Sequence, residues 1–344
     1  MGSFTLTNQE FICILSEATG FKTGVALNKD QLLQLFPDES VYKKTLSIDS
    51  KQYIRLHSSD VDEVFVQILY FLGNVEYPTN ISNTIRLREK YKKDKILLSI
   101  YESILTLFIH HNESMIQKAI ANKTKLLDPT EFMTEACHKF GEIGLTISYE
   151  IINGTVEDSH CTLSLSKTRR FNWEDTVNLE SLFKSESLES KYGRFIDQRF
   201  INYLYRNQDR LGEINWRKFE GLTAEYFARE GYKVNIGEGR NDGGIDIRVW
   251  KDEADNNDPP LILVQCKRYK EKNTIDKTVV KALWADVTWE NAESGLIVTT
   301  SSISPGAKKD CIARGYNIQQ ADKTVISTWL QNMRTIGNGV FVGE

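Results

Sequence analysis

From residue 232 onward, short β-rich runs alternate with helical ones, and this alternation limits the possible folds more than any other feature of the chain. Residues 232–236, 245–250 and 261–267 read as strands, 275–289 as a helix, 295–300 as a strand, 305–314 as a helix and 316–319 as a strand. A helix at about 215–230 precedes them, and the polar loop 251–260 joins the second strand to the third. Helix, three strands, helix, strand, helix, strand predicts an α/β domain with a mixed sheet flanked by helices. Ser304-Pro305 places a proline at the first helical position, so Thr299, Thr300 and Ser301 read as strand-end and capping hydroxyls, with phosphate contact as the alternative.

The first half of the chain has a different character. Residues 81–125 carry a helical period in which Leu97, Ile100, Tyr101, Ile104, Leu105 and Phe108 recur at spacings of three and four. The basic run Arg86, Arg88, Lys90, Lys92, Lys93 and Lys95 leads into it and reads as a solvated face, with nucleic-acid contact as the secondary reading. His110 and His111 read as residues of that helix's C-terminus, favoured by its dipole. Residues 145–165 alternate on either side of Asn153-Gly154, which predicts a β-hairpin. The stretch 181–192 is polar and lacks an apolar period, so the junction is placed there. The expected layout is a mainly helical N-terminal domain containing a hairpin, residues 1–190, that selects a target or senses a signal, and an α/β domain, residues 191–344.

Charge excludes one simple role. Lys plus Arg number 43 against 47 Asp plus Glu, a net charge of −4, so the chain has no global attraction for a polyanion and must hold one by a local patch. Arg268, Lys270 and Lys272 form the candidate strip. Five scattered cysteines without a CxxC pair predict reduced thiols and a cytoplasmic location. Cys137-His138 and His160-Cys161 lack zinc-ligand spacing. No signal-peptide pattern opens the sequence, and the apolar run 96–109 falls short of the ~20 residues that span a bilayer, so no membrane partner is expected. The absence of a Walker A, a GxSxG or a dinucleotide-binding glycine pattern excludes NTPase, serine hydrolase and oxidoreductase readings.

One constellation carries chemistry. Asn241-Asp242-Gly243-Gly244-Ile245-Asp246 opens a strand, and Val264-Gln265-Cys266-Lys267 closes the next. Gln265 and Lys267 share a strand face, and pairing of the two strands brings Asp246 beside them, with room for a water and a divalent cation. On the preceding helix Glu220 falls among the apolar positions Phe219, Leu222 and Phe227, either at the edge of a buried stripe or aimed at the site.

These residues resemble the Mrr-like restriction endonucleases of the PD-(D/E)xK nuclease superfamily. The resemblance runs over roughly residues 199–330 and rests on the Phe219-Glu220 helix, Asp242-Gly243-Gly244-Ile245-Asp246, the Gln265-Cys266-Lys267 tripeptide and the run 295–307. It implies that Asp246 binds the metal, that Gln265 takes a metal-site position usually held by Glu or Asp, that Lys267 is the catalytic lysine, and that Glu220 assists metal binding. It further implies an Mg²⁺ cofactor for which Mn²⁺ can substitute, a DNA substrate, a homodimer or higher homo-oligomer, and a role in restriction of foreign or modified DNA. The neutral Gln265 leaves the site one negative charge short, so a carboxylate there is expected to hold a cation more tightly. Residues 317–322 depart from the more apolar strand and following glycine that the resemblance leads one to expect. Two other classes stay open: a non-cleaving nucleic-acid-binding module, and an effector held inactive until a ligand or partner engages the N-terminal domain.

Overall fold

The computed structural model describes residues 2–124, 126–163, 168–239, 244–252, 258–269, 274–334 and 341–342. The chain divides into two compact units, one of residues 1–177 with 336–344, the other of residues 178–335. Among the described residues no helix is long and apolar enough to cross a membrane.

The first unit begins with β1 (Ser3–Thr7), α1 (Asn8–Thr23), β2 (Val25–Ala26), α2 (Lys29–Leu35), α3 (Val41–Ser47), β3 (Tyr53–His57) and α4 (Ser58–Phe71). Strands β1 and β3 pair antiparallel. Thr7 caps α1 through a reciprocal bond with Glu10, and Gly24 ends that helix in the left-handed region at φ 69°. Then follow α5 (Asn83–Tyr91), α6 (Lys95–Ala121), α7 (Thr130–Cys161) and β4 (Thr168–Arg169). The helical trio shares a core of Tyr91, Tyr101, Ile104, Phe132, Ala136, Ile147 and Ile151.

Three expectations need correction here. The helical pattern of residues 81–125 is two helices, because Asp94 accepts from the amides of Ile96 and Leu97 and starts a new helix after Lys92-Lys93. Residues 145–161 are helical rather than a hairpin. Ile147, Ser148, Ile151 and Gly154 recur at three and four and are buried, and the small Gly154 lets Asn83 approach, its Cβ 2.7 Å from where a side chain would begin. The one backbone break in α7 falls at Gly141, φ 64° and ψ −148°. His110 and His111 lie in mid-helix, and His111 meets Glu135 of α7 at 2.6 Å.

The remaining elements in chain order are β5 (Val177–Asn178), α8 (Leu179–Lys184), α9 (Gln198–Arg206), α10 (Trp216–Arg229), β6 (Lys233–Ile236), β7 (Ile247–Trp250), β8 (Ile262–Lys267), α11 (Lys277–Trp289), β9 (Ser294–Thr299), α12 (Pro305–Arg314), β10 (Ile318–Ala321), α13 (Lys323–Met333) and β11 (Phe341–Val342). In the second unit five strands form one mixed sheet in the order β10-β9-β8-β7-β6. The pairs β6/β7 and β7/β8 are antiparallel, and β8/β9 and β9/β10 parallel. Parallel neighbours need a crossover, which α11 and α12 supply.

One face of the sheet meets α11 and α12 through Leu263, Ile297, Val280, Leu283, Val287 and Ala307. Helix α10, with Phe219, Leu222 and Phe227 buried, packs against β6 and β7. Completely buried Ile247, Val249, Leu263, Val264, Ile297 and Val298 form the middle of this sandwich. Strands with so little exposed surface cannot slip register without exposing it. Residues 317–322, read as a departure, form β10 and the cap of α13, with Asp322 accepting from Thr324 and Val325.

Candidate active site

Strand β8 is buried over its middle and emerges at its C-terminal end, carrying Gln265 and Lys267 from the core toward solvent. Gln265 is 8% exposed, and its Nε2 donates to the Gly244 carbonyl at 2.9 Å. A carbonyl only accepts, so the nitrogen end of the amide must face Gly244 and Oε1 must face the other way. That Oε1 is buried and has no hydrogen-bond partner. An acceptor left so costs about 1–3 kcal/mol unless something positive meets it.

Asp246 begins β7's approach to this point. Its amide donates to Val264 O at 3.0 Å, and its carboxylate Oδ2 accepts from the Cys266 amide at 2.5 Å. The carboxylate therefore lies against the peptide that joins Gln265 to Cys266. Lys267 is half-buried at the strand end, its carbonyl accepting from the Thr299 hydroxyl at 2.8 Å.

Glu220 comes from α10. It is 4% exposed and pairs with Arg217 at 2.8 Å, one turn back on the same helix. Cys266 of β8 faces the same helix, its thiol 3.7 Å from the Thr223 hydroxyl of α10. Burial pushes the Cys266 thiol well up, and the negative charges of Asp246 and Glu220 push it further. Cys266 at this position is a neutral filler.

Beyond Lys267, Arg268 turns back, its Nη1 donating to Gly212 O at 3.0 Å. Thr300 clamps Tyr269, accepting from its amide at 2.9 Å and donating to its carbonyl at 2.8 Å. Ser304 caps α12. A cavity of about 310 Å³, bordered by Tyr269, Thr300, Gly212 and Lys323, opens beyond this strand end. Lys270 and Lys272 of the basic strip, and Asn241, Asp242 and Gly243 of the glycine turn, lie outside the described residues. Two groups that sequence reasoning missed are the Gly244 carbonyl, since a backbone oxygen has no residue signature, and Arg217, whose spacing of three from Glu220 was the available signal.

Residues 211–330 match a family model, Mrr_cat, described as a restriction endonuclease. The C-terminal domain is Mrr-like. Among solved structures, MspJI restriction endonuclease in complex with a 27-mer oligonucleotide is similar at 17% identity and a TM-score of 0.28, over 49% of this chain and 37% of that one. No curated protein matches the chain.

Divalent metal is implied for Mrr-like domains, and the donor set can be tested for it. Among the described residues no group of three or more His, Cys, Asp or Glu side chains is arranged to hold a metal ion. The set here is instead one carboxylate, Asp246, and the unpartnered amide oxygen of Gln265. Oxygen donors of this kind suit a hard cation that keeps several waters, as Mg²⁺ does. The residues present fit the group.

Proposed function

We propose that the Mrr-like domain is a divalent-metal-dependent endonuclease that hydrolyses DNA phosphodiester bonds, with Mg²⁺ as its cofactor and Mn²⁺ able to substitute. The observation that supports it is the buried, unpartnered Gln265 Oε1 on the strand that carries Lys267, with the Asp246 carboxylate held on the Cys266 amide of the same strand end. Asp246 and Gln265 Oε1 would hold the cation, with Glu220 supporting from α10. When bound, the cation neutralises the scissile phosphate and acidifies a bound water. Lys267 orients the attacking water, favours its hydroxide form and places a positive charge against the pentavalent transition state. Arg268, Lys270 and Lys272 hold the flanking backbone.

The biological reading is restriction of foreign DNA, with the N-terminal part of the chain selecting the target. One site per chain cuts one strand at a time, so cutting both takes two copies or sequential nicking. The test is cleavage of methylated and unmethylated plasmid with Mg²⁺, Mn²⁺ or EDTA, beside Lys267→Ala. Metal-dependent cutting lost in the variant is the expected result. Cutting that persists in EDTA or in Lys267→Ala would refute the site.

A further inference from the structure

We infer that Gly244 is a positioning residue that makes this site specific for an amide at position 265: its carbonyl latches the Gln265 nitrogen so that Oε1 is presented to the cation. The inference rests on the proposed metal site and reverses the charge-based expectation that a carboxylate at 265 would serve better.

Three observations carry it. The Gly244 carbonyl is 2.9 Å from Gln265 Nε2, which as the donor end fixes the amide's orientation. Gly244 itself sits at φ 91°, a conformation that side-chain-bearing residues rarely adopt, and a Cβ built there would come 3.3 Å from Nε2. The other end of the amide, Oε1, is buried and unpartnered. The glycine-dependent conformation of Gly244 therefore brings a carbonyl, rather than a side chain, to the amide.

A carboxylate cannot take this place in the same geometry. Gln265→Glu would set one anionic oxygen against the Gly244 carbonyl at the distance now bridged by a hydrogen bond, so two acceptors would face each other with no proton between them. The side chain must then turn, and its second oxygen leaves the place where Oε1 now lies. The extra charge strengthens attraction for the cation in general, but the ligand is no longer where the cation is held. Of the two effects, geometry wins in a buried site of low local dielectric, where two facing acceptors repel strongly.

The experiment is calorimetric titration of the full chain with Mn²⁺, without DNA, on the wild type, Gln265→Glu, Gly244→Ala and Asp246→Asn, each checked for an unchanged melting transition. Gln265→Glu should bind Mn²⁺ roughly tenfold more weakly than wild type, from the penalty of an unmet buried acceptor. Gly244→Ala, which alters no ligand, should also weaken it. In the wild type the Gln265 side-chain N–H resonances should exchange slowly with solvent, and in Gly244→Ala rapidly. A Gln265→Glu chain that binds Mn²⁺ as tightly as the wild type or more tightly, while the wild type binds and Asp246→Asn does not, would overturn the latch alone. A wild type that binds no Mn²⁺ would overturn the metal site and the latch with it. Should Gln265→Glu fail to fold, Gly244→Ala and the exchange measurement decide.

Discussion

Lys22, in the last turn of α1, is 2% exposed, and its ammonium donates to the Ser159 carbonyl at 3.2 Å. Burial lowers its pKa to about 8 from 10.5, opposed by the charge of Cys161. At about 1.4 kcal/mol per pH unit, keeping this group charged in the folded state costs roughly 3 kcal/mol. Replacing it with Met removes that cost together with the ammonium's hydrogen bonds, the one to Ser159 among them, each worth about 1 kcal/mol, while the Ser159 carbonyl keeps the Thr162 hydroxyl at 3.0 Å. Lys22→Met should therefore stabilise the first unit by about 1 kcal/mol at pH 7.

The sign is testable by pH. A lysine whose folded pKa is depressed withholds stability below that value and returns it as pH rises toward the unfolded one. Wild type should gain about 2 kcal/mol relative to Lys22→Met between pH 7 and pH 10. Burial pushes the Cys161 thiol up to about 12, which opposes folding at high pH; because the Lys22 charge lowers that pKa, the comparison is made with Cys161→Ala in both chains. Hydrogen exchange of the α1 amides reads the opening of this unit separately from the Mrr-like unit. A Lys22→Met protein that is less stable at pH 7, or a gap that does not change by pH 10, would refute the argument.

Other outcomes follow from geometry already described. Asp246→Asn and Lys267→Ala should each lower metal-dependent cleavage by roughly a thousandfold, with melting temperature and most DNA affinity retained in a filter or anisotropy assay. Gly144→Ala would place a Cβ 2.1 Å from the Ala136 carbonyl within α7, so chemical denaturation should give a loss of about 3 kcal/mol. His160 is buried, and burial, then the charges of Arg170 and Lys22, drives its pKa well below 6.5. It must stay neutral in the fold, so stability present above about pH 6.5 is lost on acidification. His160→Gln should flatten that acid limb in a pH-dependent thermal melt.

The strand and helix order of the second unit was legible because each element there is short and sharply punctuated: Pro305 opens α12, Gly315 ends it at φ 64°, and β8 and β9 are apolar runs too short to be helices. Residues 145–161 misled because Asn153-Gly154 has the composition of a hairpin turn, while the property that decides, burial of every third or fourth residue against α5 and α6, exists only after those helices pack. The break between α5 and α6 was hidden for a different reason: Asp94 ends one apolar period and begins another with nearly the same phase. At the site, residue types were readable but the wiring was not. Nothing in the letters of Gly244 says that its oxygen would hold Gln265, or that Glu220 would be tied to Arg217.

The division of the chain has a topological consequence. Because residues 336–344 group with the first unit, the Mrr-like unit is an insertion, entered once and left once. A single proteolytic nick at the entry junction would not set it free: the tail would still tie it, through β11's antiparallel pairing with β4, to the fragment upstream. Liberating the Mrr-like unit as a separate fragment takes two cuts, or one cut and the melting of a two-residue strand pair.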